Sequence, residues 1–149
     1  MSAKKDLGTE NFLADLYKNV KMGADSIINI LSKVPEGELR NELTREINEY
    51  ESYAKTIETM IYDMGDTPKE ENILTKMGAK IGIAMNTMND SSTQHIAQMV
   101  IEGATMGVTE IIRLIRENEN AICSEKVLKL AKDIVAFEED TIERMKKFL

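Results

Sequence analysis

The stretch ELRNELTREINEYESYAKTIETMIYDMGDTP, residues 38–68, decides the fold class. Its apolar residues recur every three or four positions, which is the spacing of one face of an α-helix. They are Leu39, Leu43, Ile47, Tyr50, Ala54, Ile57, Ile61 and Met64. The pattern predicts an amphipathic helix from about Glu38 to Met64. Gly65 is a typical residue just past a helix end, and Pro68 is typical of the first turn of the next helix.

Three other segments have the same helical periodicity. We predict helices from about Thr9 to Val34, from about Ser92 to Glu117, and from Ser124 to the C-terminus. A helical crossover segment from Pro68 to about Met88 is predicted between the second helix, which ends near Met64, and the fourth segment, which begins near Ser92. No stretch alternates apolar and polar residues over a strand length. The sequence therefore predicts an all-α fold, an antiparallel four-helix bundle with an additional helical crossover segment.

The boundaries of these segments carry further signals. The link around Pro35 is short, which makes the first two helices antiparallel neighbours. Ser91 with Gln94 matches the S-x-x-Q capping pattern, so we predict a break near Asn89 instead of one helix continuing through it. We expect residues 1–149 to form a single domain in which residues 1–8 are a flexible N-terminus.

The composition of the chain limits the kinds of partner that it could bind. The 26 acidic and 19 basic residues give a formal charge of −7, which disfavours nucleic acid or an anionic membrane as a partner. We see no signal peptide and no long apolar segment, so no membrane partner is expected. Cys123 is the single cysteine and has no intramolecular disulfide partner. These features lead us to expect a cytoplasmic protein.

Two glutamates interrupt the apolar faces of their helices. Glu46 lies next to the stripe of the second helix, and Glu138 lies between Ile134 and Thr141 on the buried face of the last helix. Burying a carboxylate without compensation costs roughly several kcal/mol of folding free energy. Each of these glutamates would therefore need a partner, a proton or a metal. In the alternative interpretation, each leans to the edge of the bundle and pairs with a lysine.

The order of helices, the crossover and the ending FEEDTIERMKKFL, residues 137–149, resemble the ferritin-like superfamily. The chain is similar to small ferritin-like proteins of Gram-positive anaerobic bacteria over nearly its whole length after Gly8. This resemblance implies that the bundle is a ferritin-like antiparallel four-helix bundle. The resemblance implies a di-metal site built from two Glu-x-x-His pairs and two lone glutamates. Iron or another divalent metal would be the cofactor that it implies.

Carried over by position, the two pairs fall at Glu46 with Glu49 and at Glu138 with Thr141, and neither contains a histidine. The lone glutamate of the fourth segment would be Glu102. The first helix has no counterpart, because Asp15 and Asp25 project away from its apolar stripe. We therefore expect a degenerate carboxylate site without ferroxidase chemistry, in which any metal is bound weakly.

The fourth segment has apolar residues on two sides. We expect its core side to be formed by the stripe of Ala97, Ile101, Ala104, Val108, Ile111 and Ile115. His95, Met99, Glu102 and Met106 share the opposite side, where His95 either joins Glu102 in a weak metal contact or makes a capping or hydrogen-bonded contact. This methionine face would be covered by the segment from Leu74 to Met88 or by a second copy in a homodimer.

The sequence thus leaves two functional hypotheses open. One is a ferritin-like bundle with a degenerate metal site that includes Glu46, Glu49, Glu102, Glu138 and His95. The other is a non-catalytic structural or partner-binding helical module that associates through the methionine face. Neither hypothesis identifies a substrate.

Overall fold

The computed structural model describes residues 3–68, 90–120 and 124–149. Their secondary structure is entirely helical, which confirms the all-α prediction. The helices are α1 (Ala3–Leu31), α2 (Glu38–Asp63), α3 (Thr93–Asn118) and α4 (Glu125–Met145), and a short 3-10 helix, Lys146–Phe148, follows. None of these helices is both long and apolar enough to cross a bilayer. Cys123 and most of the predicted crossover segment lie outside the described residues.

The helix ends differ in detail from the predicted ones. Helix α1 begins at Ala3, within the segment expected to be flexible, and ends at Leu31, before Val34. The break near Asn89 is confirmed to the extent that residues 90–92 are not helical. The capping residue of α3 is Ser92, not Ser91, because the Ser92 hydroxyl oxygen accepts a hydrogen bond from the backbone N–H of His95.

Contacts between α1 and α2 show the relative direction of these two helices. Between α1 and α2, Tyr17 donates to Glu58, while Arg40 donates to the carbonyls of Leu31 and Val34. Residue numbers therefore rise along α1 as they fall along α2, and the two helices are antiparallel. This arrangement agrees with the prediction from the short link.

The same reasoning applies to the other neighbours. Asn19 of α1 contacts Gly107 of α3. Burial raises the pKa of Asp15, one turn earlier in α1, and the charges of Glu110 and Arg113, further along α3, also act on it, so α1 and α3 are antiparallel. Helices α2 and α4 are antiparallel as well, and the interacting pairs that define their register are Glu42 with Arg144, Tyr50 with Glu138, and Tyr53 with Asp133.

Because α2 and α3 are both antiparallel to α1, they run in the same direction. The last residue of α2 and the first residue of α3 therefore lie at opposite ends of the helical assembly. Helix α2 has 26 residues, which corresponds to roughly 39 Å at about 1.5 Å per residue. The connection between α2 and α3 must span a distance of this order.

One apolar core joins the four helices. The predicted stripe of α2 is confirmed, since its members are buried apart from the half-buried Met64 at the end of the helix. The residues with the same periodicity in α4 are buried as well, namely Val127, Leu130, Ile134, Phe137, Thr141 and Met145. The predicted core stripe of α3 is wrong in part. Ala97, Ala104 and Ile111 are buried as predicted, but Ile101, Val108 and Ile115 are only half-buried. The buried face is rotated so that it includes Ile96, Val100 and Leu114 instead. The rotation arises because α3 packs against both α1 and α4.

Candidate ligand-binding site

Glu46 and Glu138 both point into the protein, as predicted. Their exposed fractions are 0% and 2%, and neither forms an ion pair with a lysine among the described residues. The alternative in which they lean to the edge of the bundle is therefore wrong. No described hydrogen bond joins the two carboxyls, and their surroundings differ.

Glu46 lies beside a charged cluster on one side of α2. Burial, followed by interaction with Glu42, raises the pKa of Glu46 to about 10, and the cations of Arg45 and Arg144 oppose that rise. Glu42 itself forms ion pairs with Arg45 at 2.8 Å and with Arg144 at 3.5 Å. Burial tends to raise the pKa of Glu42, but its contacts with Glu46 and the two arginines lower it overall. Glu46 is therefore protonated at neutral pH, while Glu42 is the ionised partner of the arginines.

No cation of the described ranges acts on Glu138. Burial raises its pKa to about 8, and the hydrogen bond from Tyr50 is the one opposing effect. The Tyr50 hydroxyl donates to Oε1 of Glu138 at 3.2 Å, and Oε2 has no partner among the described residues. A carboxyl in such surroundings is mostly protonated at neutral pH and ionises when a positive charge approaches.

Tyr50 is held in place by close packing. Its ring meets Phe137 edge to face, with the centroids 4.8 Å apart. On its other side lies Gly23 of α1, where a Cβ atom would be 2.6 Å from Cε1 of the ring. Burial, then the charge of Glu138, raises the pKa of the Tyr50 hydroxyl well above its usual value, and Glu46 adds to the effect. Tyr50 therefore acts as a neutral donor that lies near both carboxyls.

A second glycine makes room for Glu138 itself. A Cβ atom on Gly107 of α3 would lie 2.1 Å from Oε1 of Glu138, closer than van der Waals contact permits. Residue 107 must therefore lack a side chain if the carboxyl is to stay where it is. The carbonyl of Gly107 also accepts a hydrogen bond of 3.3 Å from the Asn19 amide.

A cavity of about 140 Å³ is lined by Asn19, Gly23, Tyr50, Gly107 and Glu138, among others. An engineered protein cavity of about 150 Å³ is large enough to bind benzene. Its apolar wall is formed by Met22, Ile27, Ile30, Met99, Val100, Ala104 and Met106. Its polar residues include Asn19, Tyr50, Glu138 and Thr141, together with the exposed Glu102. The cavity thus combines apolar walls with a few polar groups, as small-molecule sites commonly do.

Three of the polar lining residues have a buried atom without a hydrogen-bond partner in the described structure. The atoms are Asn19 Oδ1, Glu138 Oε2 and Thr141 Oγ1. The identity of the free Asn19 atom follows from its bond to Gly107, since a carbonyl requires the amide NH₂ as its donor. Buried polar atoms are normally paired, so three unpaired atoms among the residues of one cavity wall are unusual.

The predicted metal ligands do not assemble into one site. Glu49 is exposed, and Glu102 is exposed and accepts a hydrogen bond from Gln98. His95 is half-buried, and its backbone N–H donates to the Ser92 hydroxyl at the start of α3. Within the described ranges, no three His, Cys, Asp or Glu side chains come together in a way that would hold a metal ion.

Sequence reasoning missed Asn19, Gly23 and Gly107. Asn19 follows Leu16 at the helical spacing of three, which places an amide on an otherwise apolar face and was a readable signal. The glycines gave no signal of this kind, because their role depends on which residue of a neighbouring helix comes close.

Comparisons of this chain with protein-family models, with curated proteins and with solved structures found no match.

Proposed function

We propose that this chain is a ferritin-like four-helix bundle with a degenerate, non-ferroxidase carboxylate site that binds a small ligand in the cavity beside Glu138. The observation that carries the proposal is the buried Oε2 of Glu138, which has no hydrogen-bond partner and belongs to a residue of the cavity wall. The parallel directions of α2 and α3 support the ferritin-like assignment, because they require a connection about as long as the bundle.

The proposal keeps a weak metal contact but gives it a minor part. Among the residues that the structure describes, Glu138 is the one buried carboxyl on the cavity wall, and Glu46 does not line it. The α1 residue of the site is Asn19, an amide, in place of an acidic ligand. Divalent metals of the ferritin-like type need several fixed oxygen and nitrogen ligands, so this set would hold them weakly.

The methionine face is part of the same proposal. Met99 and Met106 are half-buried and line the cavity, so they supply an adaptable apolar wall for a ligand. Association of this face with a second copy stays a prediction. The segment from Leu74 to Met88, which is the predicted alternative for covering the methionine face, lies outside the described residues.

The proposal is tested by filling the cavity. A Cβ atom on Gly103 would meet nothing within 4 Å, so Gly103→Leu places a side chain in open space at the cavity wall. We expect benzene and isopentanol to raise the thermal midpoint of the wild-type protein and to leave that of Gly103→Leu unchanged. Thr109→Leu, at an exposed site on the same helix, is the matched control and should respond like the wild type.

A metal titration on the same protein completes the test. We expect calorimetry with Fe²⁺, Mn²⁺ and Zn²⁺ to show no saturation at stoichiometric metal. Two tightly bound metal ions per chain, or rapid iron-dependent oxygen consumption, would contradict the non-ferroxidase assignment.

A further inference from the structure

The cavity is a slot that runs along helices α1 and α3. On α1 its lining residues extend from Asn19 to Ile30, and on α3 they extend from Met99 to Gly107. At about 1.5 Å per residue, these ranges correspond to roughly 16 Å and roughly 12 Å along the two helix axes. Asn19 contacts Gly107, so both ranges share one end of the slot, and Ile30 and Met99 lie at the other end.

The slot has a buried floor and a more exposed rim. Its floor includes the buried apolar side chains of Ile27, Ile30, Val100 and Ala104. Its rim consists of half-buried and exposed residues, namely Met22, Ser26, Met99, Glu102, Gly103 and Met106. Within the described ranges, the rim is the side from which a ligand could enter. Most of the surface that such a ligand would touch is apolar.

Volume and length together define the shape of the ligand. An engineered cavity of about 150 Å³ binds benzene, which is a compact ring. In this protein about 140 Å³ extends over roughly two to three helical turns, so the slot is long and narrow. Side chains close both ends, which leaves room for a chain of roughly six non-hydrogen atoms lying parallel to the helices.

We propose that the slot binds an unbranched, uncharged aliphatic molecule of roughly six carbons, such as a primary alcohol or an aldehyde. The chain would lie against the floor residues Ile27, Ile30 and Val100. The unbranched side chains of Met22, Met99 and Met106 adapt to irregular shapes and would pack against its outer side. The inference rests on the proposed function, since it specifies the ligand of that same cavity.

The charges of the slot favour an uncharged head group. None of its described lining residues is a lysine or an arginine, and the Glu102 carboxylate lies on the rim. A carboxylate head group would therefore be repelled by Glu102 and would lose water without gaining a cation. Solvent screens the exposed Glu102, so its attraction for a cationic head group contributes little.

A series of straight-chain alcohols tests the length of the slot. Each CH₂ group that becomes buried should tighten binding about fourfold. The affinity should therefore rise from butan-1-ol to hexan-1-ol and level off by octan-1-ol. Cyclohexanol has as many carbons as hexan-1-ol but cannot extend along the slot, so it should bind about tenfold more weakly, the effect of leaving roughly two CH₂ groups unburied.

The place of binding is read from NMR spectra of protein labelled with ¹³C at the methionine methyl groups. The signals of Met22, Met99 and Met106 should shift as each alcohol is added. The signal of Met145, which is buried in α4 and does not line the cavity, should not shift. Hexanoate should bind at least tenfold, by rough estimate, more weakly than hexan-1-ol.

Variants at the end of the slot connect the length dependence to this cavity. Ile30→Ala should lengthen the slot by roughly two carbons, so that the affinity continues to rise as far as octan-1-ol. Ile30→Val removes a single methyl group and should shift the dependence in the same direction if Ile30→Ala does not fold. Ile111→Ala is the matched control, because Ile111 is buried in α3 without lining the cavity, and it should keep the wild-type dependence.

Equal affinities for hexan-1-ol and cyclohexanol would overturn the unbranched ligand while leaving the cavity as a binding site. A dependence on chain length that neither Ile30 variant changes would also overturn it, because the chain would then lie elsewhere. Hexanoate that binds as tightly as hexan-1-ol would overturn the uncharged head group. If no alcohol and no benzene shifts the signals of the three cavity methionines, the proposed function fails as well.

Discussion

We expect the folded protein to lose several kcal/mol of stability as pH rises from about 5 to 8. In the unfolded chain, Glu46 and Glu138 ionise near the usual glutamate pKa of about 4.3, whereas burial raises their folded pKa values to about 10 and about 8. Between these values the folded state holds protons that the unfolded state has lost. The free energy of unfolding therefore falls by up to about 1.4 kcal/mol per pH unit for each carboxyl.

The direction of this dependence is unusual. A carboxylate in an ion pair has a lowered pKa and favours folding above its unfolded pKa, as Glu42 does. Glu46 and Glu138 do the opposite: their contribution is fully present below about pH 4, the unfolded value, and is lost as pH rises through the folded values. Urea unfolding at several pH values measures the slope.

The matched control is the double variant Glu46→Gln and Glu138→Gln. It removes both titrating groups while preserving their size, so its stability should vary much less between pH 5 and 8 and should exceed that of the wild type at pH 8. A wild-type protein as insensitive to pH as this variant would show that the carboxyls are not protonated in the fold.

Gly107→Ala is expected to destabilise the protein by up to about 2 kcal/mol, which is the usual ~1–3 kcal/mol of overpacking a core less the ~0.5–1 kcal/mol that alanine gains over glycine in a helix. The new Cβ would lie 2.1 Å from Oε1 of Glu138. Glu138 has to leave its hydrogen bond with Tyr50 to relieve that contact. Thermal or urea unfolding would measure the loss.

Gly103→Ala is the control on the same helix and the same cavity wall. Its Cβ meets no atom within 4 Å, and alanine favours a helix over glycine by about 0.5–1 kcal/mol. We therefore expect this variant to be more stable than the wild type. Gly107→Ala should therefore lower the free energy of unfolding, whereas Gly103→Ala should raise it.

A double-mutant cycle connects the effect to Glu138. In a Glu138→Ala background the contact no longer exists, so Gly107→Ala should cost little or stabilise the helix. An equal cost of Gly107→Ala in both backgrounds would mean that Glu138 does not occupy the space beside this glycine.

The sequence predicted the helices of this chain well for a physical reason. In α2 and α4 the apolar residues fall on one face, because each helix buries a single stripe, and the position of Glu138 within that stripe is enough to predict its burial. Helix α3 was harder because it packs against two neighbours. Its buried face includes Ile96, Val100 and Leu114, which the predicted pair of opposite stripes assigned to neither side.

The site was predicted only in part. Glu46 and Glu138 were visible as acids on apolar faces, but their different surroundings depend on contacts between helices. Arg144 approaches Glu42 near Glu46, while Tyr50 and Gly107 surround Glu138, and no local pattern encodes such distances. The cavity is the space left between packed side chains, so a one-dimensional periodicity does not reveal it.

The central claim is that Glu138 is a buried, protonated carboxyl facing a ligand cavity. The most direct test is an NMR titration of the side-chain carboxyl carbon of Glu138 in protein labelled with ¹³C on glutamate, assigned by comparison with Glu138→Gln. We predict a midpoint near the raised pKa of about 8. A midpoint near the ordinary glutamate value of about 4.3 would contradict the claim.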